Sequence, residues 1–389
     1  MKRVYLDHAA TTPVDPEVAE AMARVFREVP GNPSSIYAEG RAARALVDRA
    51  RDEVASALGA TPAEIVFTSG GTEADNLALR GTLKARRWEN KEGPGLVIST
   101  IEHHAVLDTA EDLERHAHVR VTRVGVDREG RVDPADVERA LGDGTVLVSI
   151  MHGNNEIGTL QPIERIGAIC RERGVTFHSD AVQTVGALPF DVRRIPVDLV
   201  SVNAHKFYGP KGVGALYVRK GTRVATMQTG GGQEKGRRTG TENVAGIVGL
   251  GTAMRLAAER RDAESARQAR LRDRLIAGVR TRVPDAILNG HPTERLPNNA
   301  SFCFPGTQGE ALVIALDLEG FSASSGSACT SGNTEPSHVL LALGLEPSVA
   351  QGSLRLTVGR ETTEADVDAL LHALPPIVER LRSISAVPV

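Results

Sequence analysis

Between residues 64 and 218, short β-branched runs alternate with amphipathic stretches, and this alternation restricts the fold more than any other feature of the chain. Strands are predicted at Glu64–Thr68, Leu96–Thr100, Arg120–Val124, Val146–Met151, Thr176–His178, Leu199–Val202 and Gly214–Val218. Helices are predicted between them at Thr72–Trp88, Ala105–His116, Pro134–Leu141 and Pro162–Arg173. Strand–helix alternation at this spacing argues an α/β domain with a mostly parallel sheet. Such sheets bind ligands at the carboxyl ends of their strands, so functional side chains are expected just after each strand.

Downstream the texture changes. Residues Thr241–Arg282, rich in Ala and Arg, read as a connecting helix pair. Then follow a strand (Ala300–Phe304), a helix (Glu310–Leu318), a Ser/Gly-rich loop, a helix (Ser337–Leu343), a strand (Leu354–Val358) and a last helix (Thr362–Leu381). This is a smaller α+β domain, and 389 residues suit about two domains. The boundaries are expected at 15–258 for the large domain, with 1–14 and 259–389 forming the small one. A net charge of −3 argues against a nucleic-acid binder. No apolar run approaches the ~20 residues of a membrane span, and Met1–Asp7 lacks an apolar leader, so a cytoplasmic protein is expected. Three cysteines without a CxxC pair give neither a disulfide framework nor a zinc module, and Cys170 and Cys303 read as packing residues.

Four strand ends carry chemistry. Thr68-Ser69-Gly70-Gly71-Thr72-Glu73 opens a helix, where small residues and the helix dipole favour a phosphate; it equally resembles a plain helix cap. It lacks the Lys-Ser/Thr of a nucleotide P-loop, which disfavours ATP. His103-His104 follows another strand without further ligands at helical spacing, so no metal is expected there. Asp180 ends a third strand, and Lys206, one of only seven lysines, follows a fourth. A phosphate loop, a strand-end acid and a strand-end lysine in this order form the layout of a pyridoxal-phosphate enzyme. Burial lowers a lysine's pKa enough for Schiff-base chemistry, and the acid suits the pyridine nitrogen.

Longer motifs carry a family resemblance. Tyr5-Leu6-Asp7-His8-Ala9-Ala10-Thr11-Thr12 and Thr68–Asn76 resemble the opening of the class V aminotransferases, of pyridoxal-phosphate fold type I. Residues 151–158 (Met-His-Gly-Asn-Asn-Glu-Ile-Gly), Ser179–Gln183 and Ala204–Gly212 narrow the resemblance to the cysteine desulfurases. Ser324-Ser325-Gly326-Ser327-Ala328-Cys329-Thr330-Ser331 resembles the active-cysteine loop of the NifS/IscS branch rather than the shorter loop of the SufS branch.

The resemblance implies a homodimer with the site between subunits. Lys206 would hold pyridoxal 5'-phosphate as a Schiff base, Asp180 would pair with the pyridine nitrogen, Gln183 would bond the ring hydroxyl, and His104 would stack on the ring. Gly71, Thr72, Asn203 and His205 would bind the phosphate, with Thr241 reaching the phosphate of the neighbouring subunit. Asn155 and Arg355 would hold the carboxylate of L-cysteine. Lys206 would take the Cα proton, and the Cys329 thiolate would attack the substrate sulfur, leaving alanine and a Cys329 persulfide on a loop at about 322–332 that carries sulfur to an acceptor such as an iron–sulfur scaffold. No resident metal is implied, although Cys329 would transiently share a cluster with such a scaffold. Asn203 stands where the family more often has Ser, and members of this branch often run further past the last helix than Val389. Selenocysteine lyase and another class V aminotransferase remain the alternatives, the latter with no use for Cys329.

Overall fold

The computed structural model describes residues 3–86, 93–326 and 336–385. After a two-residue strand, β1 (Val4–Tyr5), come two helices that the alternation did not announce, α1 (Pro16–Glu28) and α2 (Ala38–Leu58). The alternating region follows as β2 (Ile65–Thr68), α3 (Gly71–Ala85), β3 (Gly95–Ser99), α4 (His104–Ala117), β4 (Arg120–Val124), α5 (Pro134–Ala140), β5 (Thr145–Ser149), α6 (Ile163–Glu172), β6 (Thr176–Asp180), β7 (Leu199–Asn203) and β8 (Gly214–Val218). A single helix, α7 (Val244–Arg282), then leads to β9 (Ile287–Leu288), β10 (Asn299–Cys303), α8 (Gly309–Leu318), β11 (Phe321–Ser322), α9 (His338–Ala342), α10 (Pro347–Ala350), β12 (Ser353–Thr357) and α11 (Glu364–Ser385).

The central sheet has the order β2-β8-β7-β6-β5-β3-β4, and only β8 runs against its neighbours. Its inner strands are buried on both faces, which is why β3 reads as a continuous apolar run rather than an alternating one. Phe67, Val97, Val148, Phe177 and Val200 face the layer built from α2, α6 and the first half of α7. Val66, Leu96, Leu147, Leu199 and Leu216 face the opposite layer, α3 and α4. Successive side chains on a strand point to opposite faces, so each strand feeds both cores.

The expected helix pair at 241–282 is one helix of 39 residues. Its start is rich in glycine, and a helical glycine costs about 1 kcal/mol relative to Ala. These glycines instead admit neighbours: a Cβ on Gly251 would lie 2.7 Å from Ala50 Cα in α2, and one on Gly249 would lie 2.8 Å from Met22 Sδ in α1. Residues of α7 up to Ala257 belong to the central sheet's core, whereas Leu271, Leu275 and Val279 pack in a second core with Phe302, Leu354, Leu312 and Leu374. This second core sits on the antiparallel sheet β12-β10-β9, beside the parallel pair β1-β11 that ties the N-terminus to it. Cys170 and Cys303 are both buried.

Candidate active site

All strands of the central sheet except β8 point the same way, so their carboxyl ends form one rim. Asp180 is the last residue of β6, and Asn203 is the last of β7. A single 3-10 turn, Ala204–Lys206, follows β7 and turns the lysine back over the rim. Gly71 opens α3 just beyond β2, His103 caps α4 beyond β3, and Asn155 lies beyond β5.

The N-terminal segment crosses this rim. Lys206 Nζ donates to the carbonyls of Ala9 (2.6 Å) and Ala10 (2.8 Å), and Gln183 Nε2 donates to Ala9 O at 3.0 Å. Thr12 N donates to His205 O at 2.9 Å, while His205 Nδ1 lies 3.1 Å from Thr11 Oγ1. Lys206, His205 and Gln183 are thus brought together on one strap of chain, a role for residues 9–12 that their sequence alone did not suggest. Asp180 is buried. Burial pushes its carboxyl up to about 6, opposed by the Val182 N–H, 2.9 Å from Oδ1, and by the Lys206 cation. A carboxylate at this depth needs a cation beside it, and a protonated ring nitrogen is one.

At the other end of the cleft the first turn of α3 has no side-chain cap. Glu73 is drawn aside by the Ser69 N–H (2.7 Å) and by Arg238 Nε (2.8 Å). Asn203 Nδ2 lies 3.3 Å from the point where a Cβ on Gly71 would stand, and Asn203 Oδ1 is buried without a hydrogen-bond partner. Backbone N–H groups at a helix start, with an amide beside them and no Cβ in the way, make an anion cradle.

The two adjacent histidines are placed differently. His104 is half-exposed, and its Nδ1 lies 3.2 Å from Asp108 one turn along α4. The buried imidazole beside the lysine is His103, pushed down to about 4 by burial and then by the Lys206 cation. His103 Nδ1 accepts from the Ala105 N–H at 3.0 Å, which places the ring proton on Nε2. His103, not the half-exposed His104, is therefore the imidazole that faces Lys206.

Arg355, nearly buried in β12, donates from one guanidinium nitrogen to Asn155 O (3.0 Å) and from the other to Asp7 Oδ1 (2.8 Å). Asn155 and Arg355 are therefore together, and Asp7 occupies one arm of the fork expected for a substrate carboxylate. Arg355 Nε is buried and has no hydrogen-bond partner. Thr241 is exposed, on a segment tied to α3 by Arg238–Glu73. Cys329 lies outside the described residues.

A protein chain with this rim matches known families end to end. The profile of the family Aminotransferase class-V covers residues 4–370. A cysteine desulfurase IscS of Dictyoglomus turgidum is 50% identical over 386 residues, spanning 99% of this chain and 97% of the relative. The chain belongs to the class V aminotransferase family. Among solved structures, a NifS-like protein superposes with a TM-score of 0.90 at 38% identity, covering 97% of this chain and 100% of that one. The structure of SspA in complex with cysteine superposes with a TM-score of 0.80 at 35% identity, over 91% and 98% of the two chains.

Within this family the relatives at half identity over full length are cysteine desulfurases, and the chain is a pyridoxal-phosphate-dependent enzyme acting on L-cysteine. The residues present fit that cofactor: an uncapped helix start with the Asn203 amide for the phosphate, a buried acid for the ring nitrogen, and a lysine between them. Among the described residues no cluster of His, Cys, Asp and Glu suits a metal, and no helix is long and apolar enough to cross a membrane.

Proposed function

We propose that Lys206, Asp180 and Cys329 carry the desulfuration of L-cysteine, with His103, Gln183, Asn203, His205, Gly71 and Thr72 holding the cofactor. The observation that carries this reading is Lys206 turned over the rim beside buried Asp180, its cation being the charge that opposes the upward push on that acid. Pyridoxal phosphate, when bound, supplies an electron sink for the substrate's Cα. Asp180, ionised, keeps the proton on the ring nitrogen, and His103 covers the ring with a neutral imidazole. Arg355 and Asn155 orient the substrate carboxylate, and Lys206 Nζ takes the proton from Cα. Cys329 Sγ, as thiolate, forms an S–S bond to the substrate sulfur as the Cβ–S bond breaks, and the carbon skeleton takes up protons and leaves as alanine.

The persulfide on Cys329 is then passed to an acceptor protein such as an iron–sulfur scaffold in the cytoplasm. We assign Thr241 to the phosphate of the second subunit of a homodimer, in keeping with its exposure, and divide the chain into a large domain of about 15–258 and a small domain of the remainder, in keeping with the change of core along α7. The test is alanine and sulfide production from L-cysteine under reductant, with wild type, Cys329→Ala and Lys206→Ala. Equal alanine and sulfide from wild type and neither from the variants is expected; alanine from Cys329→Ala would overturn the role of that thiol.

A further inference from the structure

Beneath Asp180, on the sheet face covered by α3 and α4, lies a patch of polar side chains that no step above uses. Strand register sets Ser149 beside His178 and Asp180 beside Ser201. His178 and Asp180 are two residues apart on β6, so these four side chains share one face. Asp75 comes down on them from α3. Asp75 is 1% exposed, and Ser149, His178 and Ser201 are wholly buried. Around them stand Leu77, Ala78, Leu147, Leu199 and Leu216.

His178 Nδ1 lies 2.8 Å from Ser149 Oγ, and His178 Nε2 lies 3.0 Å from Ser201 Oγ and 3.6 Å from Asp75 Oδ1. Ser201 also hydrogen-bonds the Asp75 carboxyl, whereas Asp75 Oδ1 has no hydrogen-bond partner. Burial drives His178 down to about 3, so this imidazole is neutral and offers Asp75 no charge. The other ionisable groups facing Asp75 are both acids: Asp180 on β6 and Glu102 in the turn after β3. Asp180 has the Val182 N–H and the Lys206 cation to stabilise its charge; Asp75 has a serine hydroxyl. Two neighbouring carboxyls in an apolar surround do not both ionise, and the proton goes to the one with the poorer partners.

We propose that Asp75 is a positioning residue for Asp180: it is the neutral acid of the pair, held by Ser201, which His178 and Ser149 back, and it leaves the negative charge on Asp180 for the cofactor's ring nitrogen. The proposal rests on the pyridoxal-phosphate reading of Asp180. If Asp75 were ionised, Asp180 would take up the proton instead, and a neutral carboxyl does not hold a proton on the ring nitrogen. The relay gives each of these polar side chains a partner in an otherwise apolar layer: Ser149 and Ser201 bond His178, and Ser201 bonds Asp75.

Infrared difference spectra at neutral pH, wild type minus Asp75→Asn, test the protonation directly on both cofactor-free and cofactor-loaded protein. The carbonyl stretch of a protonated carboxylic acid is expected in wild type and lost in the variant; carboxylate bands alone in the difference would overturn the proposal. Asp75→Asn is nearly isosteric and replaces a neutral group with a neutral group. The visible-absorbance pH titration of its bound cofactor is therefore expected to keep its midpoint within about 0.3 unit, whereas a shift of about 1 unit or more would mean that a charge had been removed. His178→Leu stays close in volume but breaks the relay, and is expected to move that midpoint and to weaken cofactor binding about tenfold, some 1.4 kcal/mol; unchanged values would exclude the relay. The cofactor-free infrared arm stands whether or not Lys206 binds pyridoxal phosphate, so failure of this proposal is distinguishable from failure of the site reading.

Discussion

Adjacent histidines at a strand end show what one residue of register decides. His103 is the cap of α4 and turns inward; His104 is the first residue of the helix proper and lies along it toward Asp108. His103→Ala is expected to lower kcat/KM for alanine formation about 10²-fold, the lower range for a group acting on proton transfer or its geometry. His104→Ala removes one partly exposed i,i+4 pair and is expected to cost about 0.5 kcal/mol of stability, with activity near wild type. Steady-state alanine assays on both variants decide it: a loss confined to His104→Ala would return the ring to that residue. The strand-end placement of Asp180 and Lys206 is legible in the sequence because the β-branched runs of β6 and β7 stop just before them, although each residue taken alone reads as an ordinary surface group. The histidine pair was not, because both members satisfy the same motif and only the cap geometry separates them. Asp75 was illegible for a different reason: it reads as an ordinary helix residue until the sheet beneath it is known.

At the scale of elements, the parallel strands and their crossover helices are readable from periodicity, whereas α1 and α2 lie outside the alternating region and the stretch of α7 is long enough to suggest two helices. The glycines at the start of α7 are ambiguous in sequence, since the same residue breaks a helix or admits a neighbour, and only Met22 and Ala50 across the interface tell which. The reversed β8 was also hidden, because nothing in five buried residues records direction. One buried ion pair organises this region. Arg51 in α2 forks onto Glu234, at 2.9 Å and 2.6 Å, while Glu234 also accepts from the Phe67 N–H of β2 at 3.1 Å. Both side chains are largely buried, so removing one charge strands the other. Glu234→Gln is expected to destabilise the protein by about 3 kcal/mol, a Tm about 4 °C lower for a chain of this length. Arg51→Met/Glu234→Leu is expected to recover most of that loss, since an apolar pair has no desolvation to offset. Thermal unfolding of the three proteins measures it, and a Glu234→Gln protein as stable as wild type would show that the pair organises nothing.

The whole molecule carries opposed sets of buried titratable groups, and they make its stability depend on pH in two directions. Burial holds His8, His103, His152 and His205 down to about 4 and His178 to about 3. Between about 6.5 and 4 the unfolded chain binds protons that the folded chain refuses, so these histidines make stability fall as the solution is acidified. Glu102 acts in the opposite sense. Fully buried against the Ser99 hydroxyl and the Met151 N–H, its carboxyl is pushed up to about 8 by burial. Below its unfolded value of 4.5 it is neutral in both states; as pH rises toward 8 the unfolded chain loses a proton that the folded chain keeps, and stability falls by about 1.4 kcal/mol per pH unit. The histidine contribution fades above 6.5 and is common to wild type and a Glu102 variant, so their difference isolates the Glu102 slope. Glu102→Gln replaces the neutral acid with a group that does not titrate. Its stability relative to wild type is therefore expected to improve by about 2 kcal/mol between pH 6.5 and 8, read as a widening Tm difference in parallel melts at both pH values. A difference that stays constant across this window would mean that Glu102 is ionised in the folded protein, paired with a cation brought near the rim.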